Sequence, residues 1–162
     1  MVSGGAPVPG APVEPVTLPG TIREAIVGHA RAALPNEACG VIVGDAPAAS
    51  GGRARRWEPA RNRAESPYLY ELHPDDLLRL TIETDDADEV FWAIVHSHTH
   101  SPARPSQTDV RLALYPDALY VLVSLDPAEA DPVTGAASLR AWRIVDSEAT
   151  EVPLTIETPG RA

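Results

Sequence analysis

Two histidines and an aspartate are spaced so that they can share a metal ion. His96 and His98 are separated by one residue, and Asp109 follows about one turn into a predicted helix. Alternate residues of a strand point the same way, so both imidazoles can aim at one point. The intervening loop can fold the carboxylate of Asp109 back onto that point. Two imidazoles and a carboxylate are suitable ligands for Zn²⁺, and they leave a fourth position for water.

Such a centre predicts hydrolysis of an amide. A bound zinc ion lowers the pKa of its water toward about 7 and polarises a carbonyl group. A general base must then carry the proton of the water to the leaving amine. Glu37 is the candidate base, because the apolar segment that follows it can raise the pKa of its carboxyl group. The spacing alone does not bring Glu37 near the histidines.

Ser106 and Asp109 have a second interpretation. Their S-x-x-D spacing is also that of a capping box at the start of a helix. Without the histidines, the capping box would be a sufficient explanation of both residues. Beside the His-x-His pair the two interpretations are compatible, since Ser106 can cap the helix and also face the metal.

Neighbouring residues have simpler explanations. Cys39 lies two residues from Glu37, but a lone cysteine in a buried strand is usually a small apolar filler and not a nucleophile. His100 could support the site or face solvent from a loop, and we favour the loop. His73 precedes a proline and is predicted to be a loop or capping residue.

Three helices are predicted to surround these residues. Thr21 and Glu24 have capping-box spacing and open the first helix, which Pro35 ends. Its apolar side consists of Ile22, Ile26, Ala30, Ala33 and Leu34. Pro74 opens the second helix, whose apolar side consists of Leu77, Leu78, Leu80 and Ile82. A short third helix is predicted over residues 107–114.

Apolar runs predict the strands. Residues 39–44, CGVIVG, and residues 90–95, VFWAIV, are continuous runs typical of buried strands, and the second leads directly into the histidines. Further strands are predicted at residues 53–58, 68–72, 119–125, 139–146 and 151–157. Because helices interleave with strands, the predicted class is α/β (α+β), with one mixed central β-sheet flanked by helices.

Length and composition limit the organisation of the chain. Its 162 residues are enough for one domain. Residues 1–17 are rich in Pro, Gly and Ala and are predicted to be a disordered tail. The domain is expected to cover residues 18–158, followed by a C-terminal tail at 159–162.

Charge and hydropathy exclude several classes of function. The formal net charge of −10 argues against a nucleic-acid partner and against anionic membrane surfaces. No apolar run of about 18 residues predicts a membrane span, and no secretory signal is evident. The single cysteine excludes an internal disulfide and is compatible with a cytoplasmic location.

The full pattern resembles a known family. His96-x-His98-x7-Ser106-x2-Asp109, with Glu37 upstream, is similar to the JAMM motif of the MPN+ metallopeptidases. EACGVIVG, RNRAESP, DDADEV, VHSHTHSPARPSQTDV and YVLVS resemble the bacterial branch, and most of all the cysteine-releasing CysO-cysteine peptidases. The likeness covers roughly residues 18–158. Thr99 stands where many JAMM proteins have proline, and the cysteine-releasing branch resembles this chain there.

The resemblance implies a fold and roles for five residues. The fold would be a single MPN/JAB-like domain. Glu37 would be the general base, Ser106 would stabilise the oxyanion, and zinc would be bound by His96, His98 and Asp109.

The resemblance also implies a substrate. It would be a small ubiquitin-like sulfur-carrier protein, cut after its C-terminal Gly-Gly with release of cysteine. One alternative is the trimming of a C-terminal extension, or of an isopeptide, from another ubiquitin-like protein. A second is a non-catalytic MPN scaffold, against which the intact set of five residues argues. The oligomeric state does not follow from the sequence.

Overall fold

A computed structural model describes residues 14–158. Residues 1–13 of the predicted tail at 1–17, and the predicted tail at 159–162, lie outside the described residues. The helices are α1 (Gly20–Ala33), α2 (Pro74–Asp86) and α3 (Gln107–Arg111). The strands are β1 (Val16–Pro19), β2 (Cys39–Gly44), β3 (Ala54–Ala60), β4 (Val90–His98), β5 (Leu119–Ser124), β6 (Ser138–Val145), β7 (Glu148–Val152) and β8 (Leu154–Glu157). Strand β1 lies across the boundary predicted after residue 17, and the predicted domain limits stay predictions.

The main sheet is mixed and has six strands in the order β3-β2-β4-β5-β6-β7. Only the β4–β5 pair is parallel, and the chain crosses between these strands through the segment that contains α3. β1 and β8 form a separate parallel pair. The helices and the mixed sheet confirm the predicted α/β (α+β) class.

The sheet is buried on both faces. Val41 and Val43 point to one face and Ile42 to the other, so every residue of β2 is buried. α1 covers the Ile42 face with the residues Ile22, Ile26, Val27 and Ala30. α2 and the segment after α3 cover the opposite face, where Leu80 packs. Burial on both faces explains the continuous apolar runs of β2 and β5.

The start of α1 differs from the prediction. The helix begins at Gly20, one residue before Thr21, and its N-cap is Pro19, which makes no side-chain cap. The predicted capping box of Thr21 and Glu24 is therefore wrong, because β1 leads directly into the helix and leaves Thr21 exposed inside the first turn. The apolar side is confirmed except at its end, since Leu34 lies after the last helical residue and is 47% exposed.

The predicted start of α2 is confirmed at Pro74, and the ring of His73 caps it by accepting a hydrogen bond from the N–H of Asp75. The buried side is narrower than predicted, because Leu78 and Ile82 are 63% and 52% exposed. No helix of residues 14–158 is long and apolar enough to cross a membrane.

Several strand limits also differ. The predicted strand at 68–72 is wrong: within it, Leu72 alone pairs, in an isolated bridge with Asn62. The N–H of Glu71 is bound by the side chain of Asn62 and not by a partner strand. β4 runs to His98 instead of ending at residue 95, and α3 ends at Arg111, before the predicted residue 114. The C-terminal region forms three strands where two were predicted.

Candidate metal centre

Strand β4 carries both histidines into one site. His96 pairs with Cys39 of β2, and His98 pairs with Ser124 of β5, so the strand is held on both sides. The pleat then points both imidazoles to the same face, where their Nε2 atoms lie 3.2 Å apart. Both side chains are buried. Ser97 points to the other face and accepts a hydrogen bond from the N–H of Ala38 at 2.8 Å.

The first turn of α3 brings Asp109 to the two imidazoles. Its Oδ2 lies 3.2 Å from His96 Nε2 and 3.1 Å from His98 Nε2. The same oxygen accepts a hydrogen bond from the N–H of Ser106 at 2.9 Å, and Ser106 Oγ accepts one from the N–H of Asp109 at 3.0 Å. This complete capping box fixes the carboxylate in the direction of the histidines.

The three atoms form a triangle that suits a zinc ion. Its sides are 3.1, 3.2 and 3.2 Å. Nitrogen and oxygen ligands about 2.0–2.1 Å from a tetrahedral zinc ion lie about 3.3 Å from one another. The residues present therefore fit the metal that the resemblance implies.

The outer nitrogen of His98 prepares it to bind a metal. Its Nδ1 lies 2.8 Å from the carbonyl oxygen of Pro102, which can only accept. A proton on Nδ1 completes this hydrogen bond, and in the neutral imidazole it leaves the lone pair of Nε2 facing the site. His96 is different, because its Nδ1 is buried without a partner among residues 14–158. Burial lowers the pKa of His96 and keeps its imidazole neutral.

Glu37 lies beside this triangle, two residues before the start of β2 at Cys39. One of its carboxylate oxygens and one nitrogen of each histidine all lie within 4.8 Å of one another. This set is looser than the triangle that contains Asp109. The side chain is only 4% exposed. Burial raises the pKa of Glu37 to about 7; the nearby Asp109 adds to the rise, and His98 opposes it.

The register of β2 against β4 is what brings Glu37 to the histidines. Cys39 stands opposite His96, so Glu37, two residues earlier, falls on the same face at the edge of the site. The structure thus brings together four of the five predicted residues. The fifth, Ser106, is exposed at the start of α3, with its Oγ on the N–H of Asp109.

Tyr70 belongs to the site and was not predicted. Its ring stacks on His96 with ring centroids 4.0 Å apart and planes 15° apart. Burial raises the pKa of Tyr70 far above its usual value, so the ring stays neutral. The sequence predicts a strand over residues 68–72, and no motif marks this tyrosine. Its place depends on the irregular path of the chain between Arg61 and His73.

Two residues near the motif do not join the cluster. Cys39 is buried, its Sγ lies 3.5 Å from the carbonyl oxygen of Arg61, and burial raises its pKa to about 12. A thiol of that pKa is not a nucleophile at neutral pH, in agreement with its prediction as a filler. His100 is exposed, as expected of a loop residue.

Comparison with known proteins identifies the family. A family model described as prokaryotic homologs of the JAB domain matches residues 19–145. The chain belongs to this family. The predicted resemblance to the JAMM/MPN+ metallopeptidases is thereby confirmed, together with the JAB/MPN fold and the prediction of a JAMM-type hydrolase.

Named relatives of this prokaryotic JAB protein include two enzymes. The CysO-cysteine peptidase of Mycobacterium tuberculosis is 45% identical over 133 residues, which are 82% of this chain and 84% of the relative. The desampylase of Haloferax volcanii is 32% identical over 116 residues, 68% of this chain and 81% of the relative. A solution structure from Desulfitobacterium hafniense has a TM-score of 0.73 at 29% identity and covers 89% of this chain and 94% of its own.

Proposed function

We propose that this protein hydrolyses the amide bond after the C-terminal Gly-Gly of a small ubiquitin-like sulfur-carrier protein and releases cysteine. The observation that carries the proposal is the triangle of His96, His98 and Asp109 beside the buried carboxyl group of Glu37. The identity of 45% to a CysO-cysteine peptidase supports the choice of substrate. The proposal includes a role in cysteine biosynthesis and a cytoplasmic location.

The metal in this proposal is Zn²⁺, held by His96 Nε2, His98 Nε2 and Asp109 Oδ2. Bound there, it would supply positive charge that lowers the pKa of a water molecule and polarises the substrate carbonyl. The chain contributes the orientation of the ligands. The carbonyl of Pro102 fixes the tautomer of His98, and the capping box of α3 fixes Asp109.

Glu37 carries the proton. Its carboxylate takes a proton from water while the water oxygen bonds to the amide carbon, and gives it to the nitrogen as the C–N bond breaks. The products are a carrier that ends in a glycine carboxylate and a free amino acid. A pKa of about 7 suits both steps, because the group can hold or release a proton near neutral pH.

Ser106 stabilises the charge that develops on the substrate oxygen. Its Oγ accepts a hydrogen bond from the N–H of Asp109, which leaves the hydroxyl proton free to be donated. A donor aimed at a developing oxyanion is worth about 10²–10³ in kcat in other hydrolases. Ser106 is exposed at the start of α3, so a substrate can reach it.

The carrier tail has an edge along which it can dock. β3 is an outer strand of the main sheet, and its last residue, Ala60, pairs with Cys39, two residues from Glu37. An extended tail added to such an edge gains main-chain hydrogen bonds without requiring particular side chains. This mode suits a Gly-Gly tail, which has no side chains to recognise.

The test is hydrolysis of a purified carrier–cysteine adduct by the zinc-loaded protein. We expect free cysteine and a shortened carrier by mass spectrometry, and loss of this product with Glu37→Gln. Glu148→Gln, on the exposed strand β7 at the far side of the sheet, is the matched control and should cut normally. An adduct left uncut by the wild type, or cut equally well by Glu37→Gln, would show the proposal to be wrong.

The relative named desampylase supports a second candidate, removal of a longer group from a ubiquitin-like protein. Product mass separates the two, since one releases a single amino acid and the other a peptide or protein. Elemental analysis addresses the scaffold alternative. One zinc ion per chain is expected, and a protein purified without metal that takes up none would favour the scaffold.

A further inference from the structure

The side chain of Asn62 joins the parts of the chain that surround the metal triangle. It lies just after β3, at the start of an irregular segment that we call the site loop (residues 61–73). Its Nδ2 donates to the carbonyl oxygens of Glu37 and Leu69, both at 3.0 Å. Its Oδ1 accepts from the N–H groups of Ala64 and Glu71, also at 3.0 Å.

These four bonds use the whole capacity of the amide. A primary amide has two N–H donors and two acceptor positions on its oxygen, and Asn62 fills all of them with backbone groups. Turning the amide over would set its oxygen against two carbonyls and its NH₂ against two N–H groups. The bonds therefore hold Asn62 in one orientation, and no other residue type has the same donors and acceptors at this length.

The site loop in turn contacts the catalytic machinery at three points. The carbonyl of Ser66 accepts a hydrogen bond from the N–H of Glu37 at 2.8 Å. The carbonyl of Pro67 accepts one from Thr99 Oγ1 at 3.2 Å, next to His98. Tyr70 stacks on His96. Both backbone polar groups of Glu37 are thus bound to Asn62 or to the loop that Asn62 organises.

We propose that Asn62 is a positioning residue for hydrolysis: its four hydrogen bonds set the place of Glu37 and hold Tyr70 of the site loop on His96. Asn62 touches neither the metal ligands nor the substrate carbonyl in this assignment, and it acts through Glu37 and Tyr70. The inference rests on the proposed function only in that it takes Glu37 as the base. A base displaced by about 1 Å can cost about 10²-fold in rate.

Two substitutions distinguish the contribution of the Nδ2 donors of Asn62 from that of its Oδ1 acceptor. Asn62→Ala removes all four bonds. Asn62→Asp keeps both acceptor positions for Ala64 and Glu71 and replaces the donors to Glu37 and Leu69 with an oxygen. The matched control is Asp45→Ala, which removes the hydrogen bond that the N–H of Arg53 donates to Asp45 Oδ1 in the exposed hairpin at the other end of β2. That hairpin lies about 25 Å from Glu37, at about 3.3 Å per strand residue.

The first measurement is amide hydrogen exchange on the zinc-loaded proteins. In Asn62→Ala we expect the amides of Glu37, Ala64 and Glu71 to exchange at least about tenfold faster, while that of Arg53 is unchanged. Asn62→Asp should leave Ala64 and Glu71 protected and expose Glu37. Asp45→Ala should affect Arg53 alone. Wild-type protection of Glu37 in both Asn62 variants would overturn the inference.

The second measurement is kinetic, with zinc content and thermal unfolding determined in parallel. Both Asn62 variants should keep one zinc ion per chain and lose about 10–100-fold in kcat with KM within about threefold of wild type. Asp45→Ala should keep kcat within about twofold of wild type, even if its unfolding temperature falls as much as that of the Asn62 variants. Wild-type kcat in Asn62→Asp, or an equal loss of kcat in Asp45→Ala, would overturn the positioning role. If the wild type does not cut the adduct, the proposed substrate is wrong. The hydrogen-exchange measurement still tests whether Asn62 positions Glu37.

Discussion

The start of β2 and the start of α3 each bring one carboxyl group to the metal site, and the pKa values of the two groups are shifted in opposite directions. Among residues 14–158, no cation near Glu37 offsets the burial of its carboxyl group, so its pKa rises to about 7. Burial alone would raise the pKa of Asp109 as well, but the two imidazoles and the N–H of Ser106 hold it well below the usual range. Two carboxyl groups pushed apart in this way can divide the work between a permanent anion and a proton carrier.

The difference comes from what each backbone presents. At the start of α3, a capping box turns a backbone N–H and the helix terminus toward the carboxylate of Asp109. At the start of β2, both backbone groups of Glu37 are bound to Asn62 and Ser66, and its carboxyl group is buried near His98 and Asp109. We therefore expect substitution of Asp109 to remove the metal, and substitution of Glu37 to slow turnover while the metal stays bound.

The largest effect is expected for Asp109→Asn. The amide keeps the shape of the side chain but removes the negative charge that faces two imidazoles, so the metal should be lost together with at least about 10³-fold of kcat/KM. Elemental analysis and kinetics at limiting zinc measure both. A variant that retained one zinc ion per chain with full affinity would contradict the assignment of Asp109 as the anionic ligand and Glu37 as the base.

Glu37→Gln is expected to abolish turnover without loss of metal. Removal of a general base costs about 10²–10⁴ in rate, and the triangle of His96, His98 and Asp109 stays intact. The measurement is kcat together with zinc content, on the same preparation. A loss of zinc equal to that of Asp109→Asn would mean that both carboxyl groups act as ligands.

Ser106→Ala sharpens the comparison on the α3 side. The change removes the acceptor for the N–H of Asp109 and the hydroxyl donor to the substrate, but it keeps the backbone N–H that binds Asp109 Oδ2. Loss of an N-cap costs about 1 kcal/mol of stability, and loss of the donor should cost about 10²-fold in kcat. Ser106→Thr keeps both groups and is the control. If the Ser106→Thr variant were as slow as Ser106→Ala, the hydroxyl group would not be the donor to the substrate oxygen.

The site was predictable to the extent that its residues are close in the chain. His96, His98, Ser106 and Asp109 fall within one strand, loop and helix turn, so strand alternation and a capping box bring them together by local geometry. Glu37 is joined to them only by the register of β2 on β4, which spacing cannot reveal. Its identification depended on the family motif.

The errors have a common physical cause. Thr21 has the spacing of a cap, but a strand that leads straight into the helix places the start of α1 elsewhere. Residues 68–72 have the composition of a strand, but they fold back onto residues 61–63, and the side chain of Asn62 binds the carbonyl of Leu69 and the N–H of Glu71. In both places a contact outside the predicted element overrode a local preference.

The effect most specific to the comparison is the pH dependence of stability without metal. A raised pKa means that the folded protein binds the proton of Glu37 more tightly than the unfolded chain does. Between the ordinary value of 4.5 and about 7, the free energy of unfolding should therefore fall as pH rises. At 1.36 kcal/mol per pKa unit, the fall is about 3 kcal/mol.

Asp109 should show the opposite sign. Its lowered pKa contributes stability that is present above the ordinary value of 3.8 and is lost as pH falls. In urea unfolding of the metal-free protein, Glu37→Gln should gain stability over wild type as pH rises from 4.5 to 7.5, because it removes the cost of a buried charge. Asp109→Asn should instead be less stable than wild type at pH 7.5, with the difference shrinking as the pH is lowered. Two differences of the same sign would mean that the carboxyl groups sit in equivalent environments, and the proposed division between ligand and base would lose its physical ground.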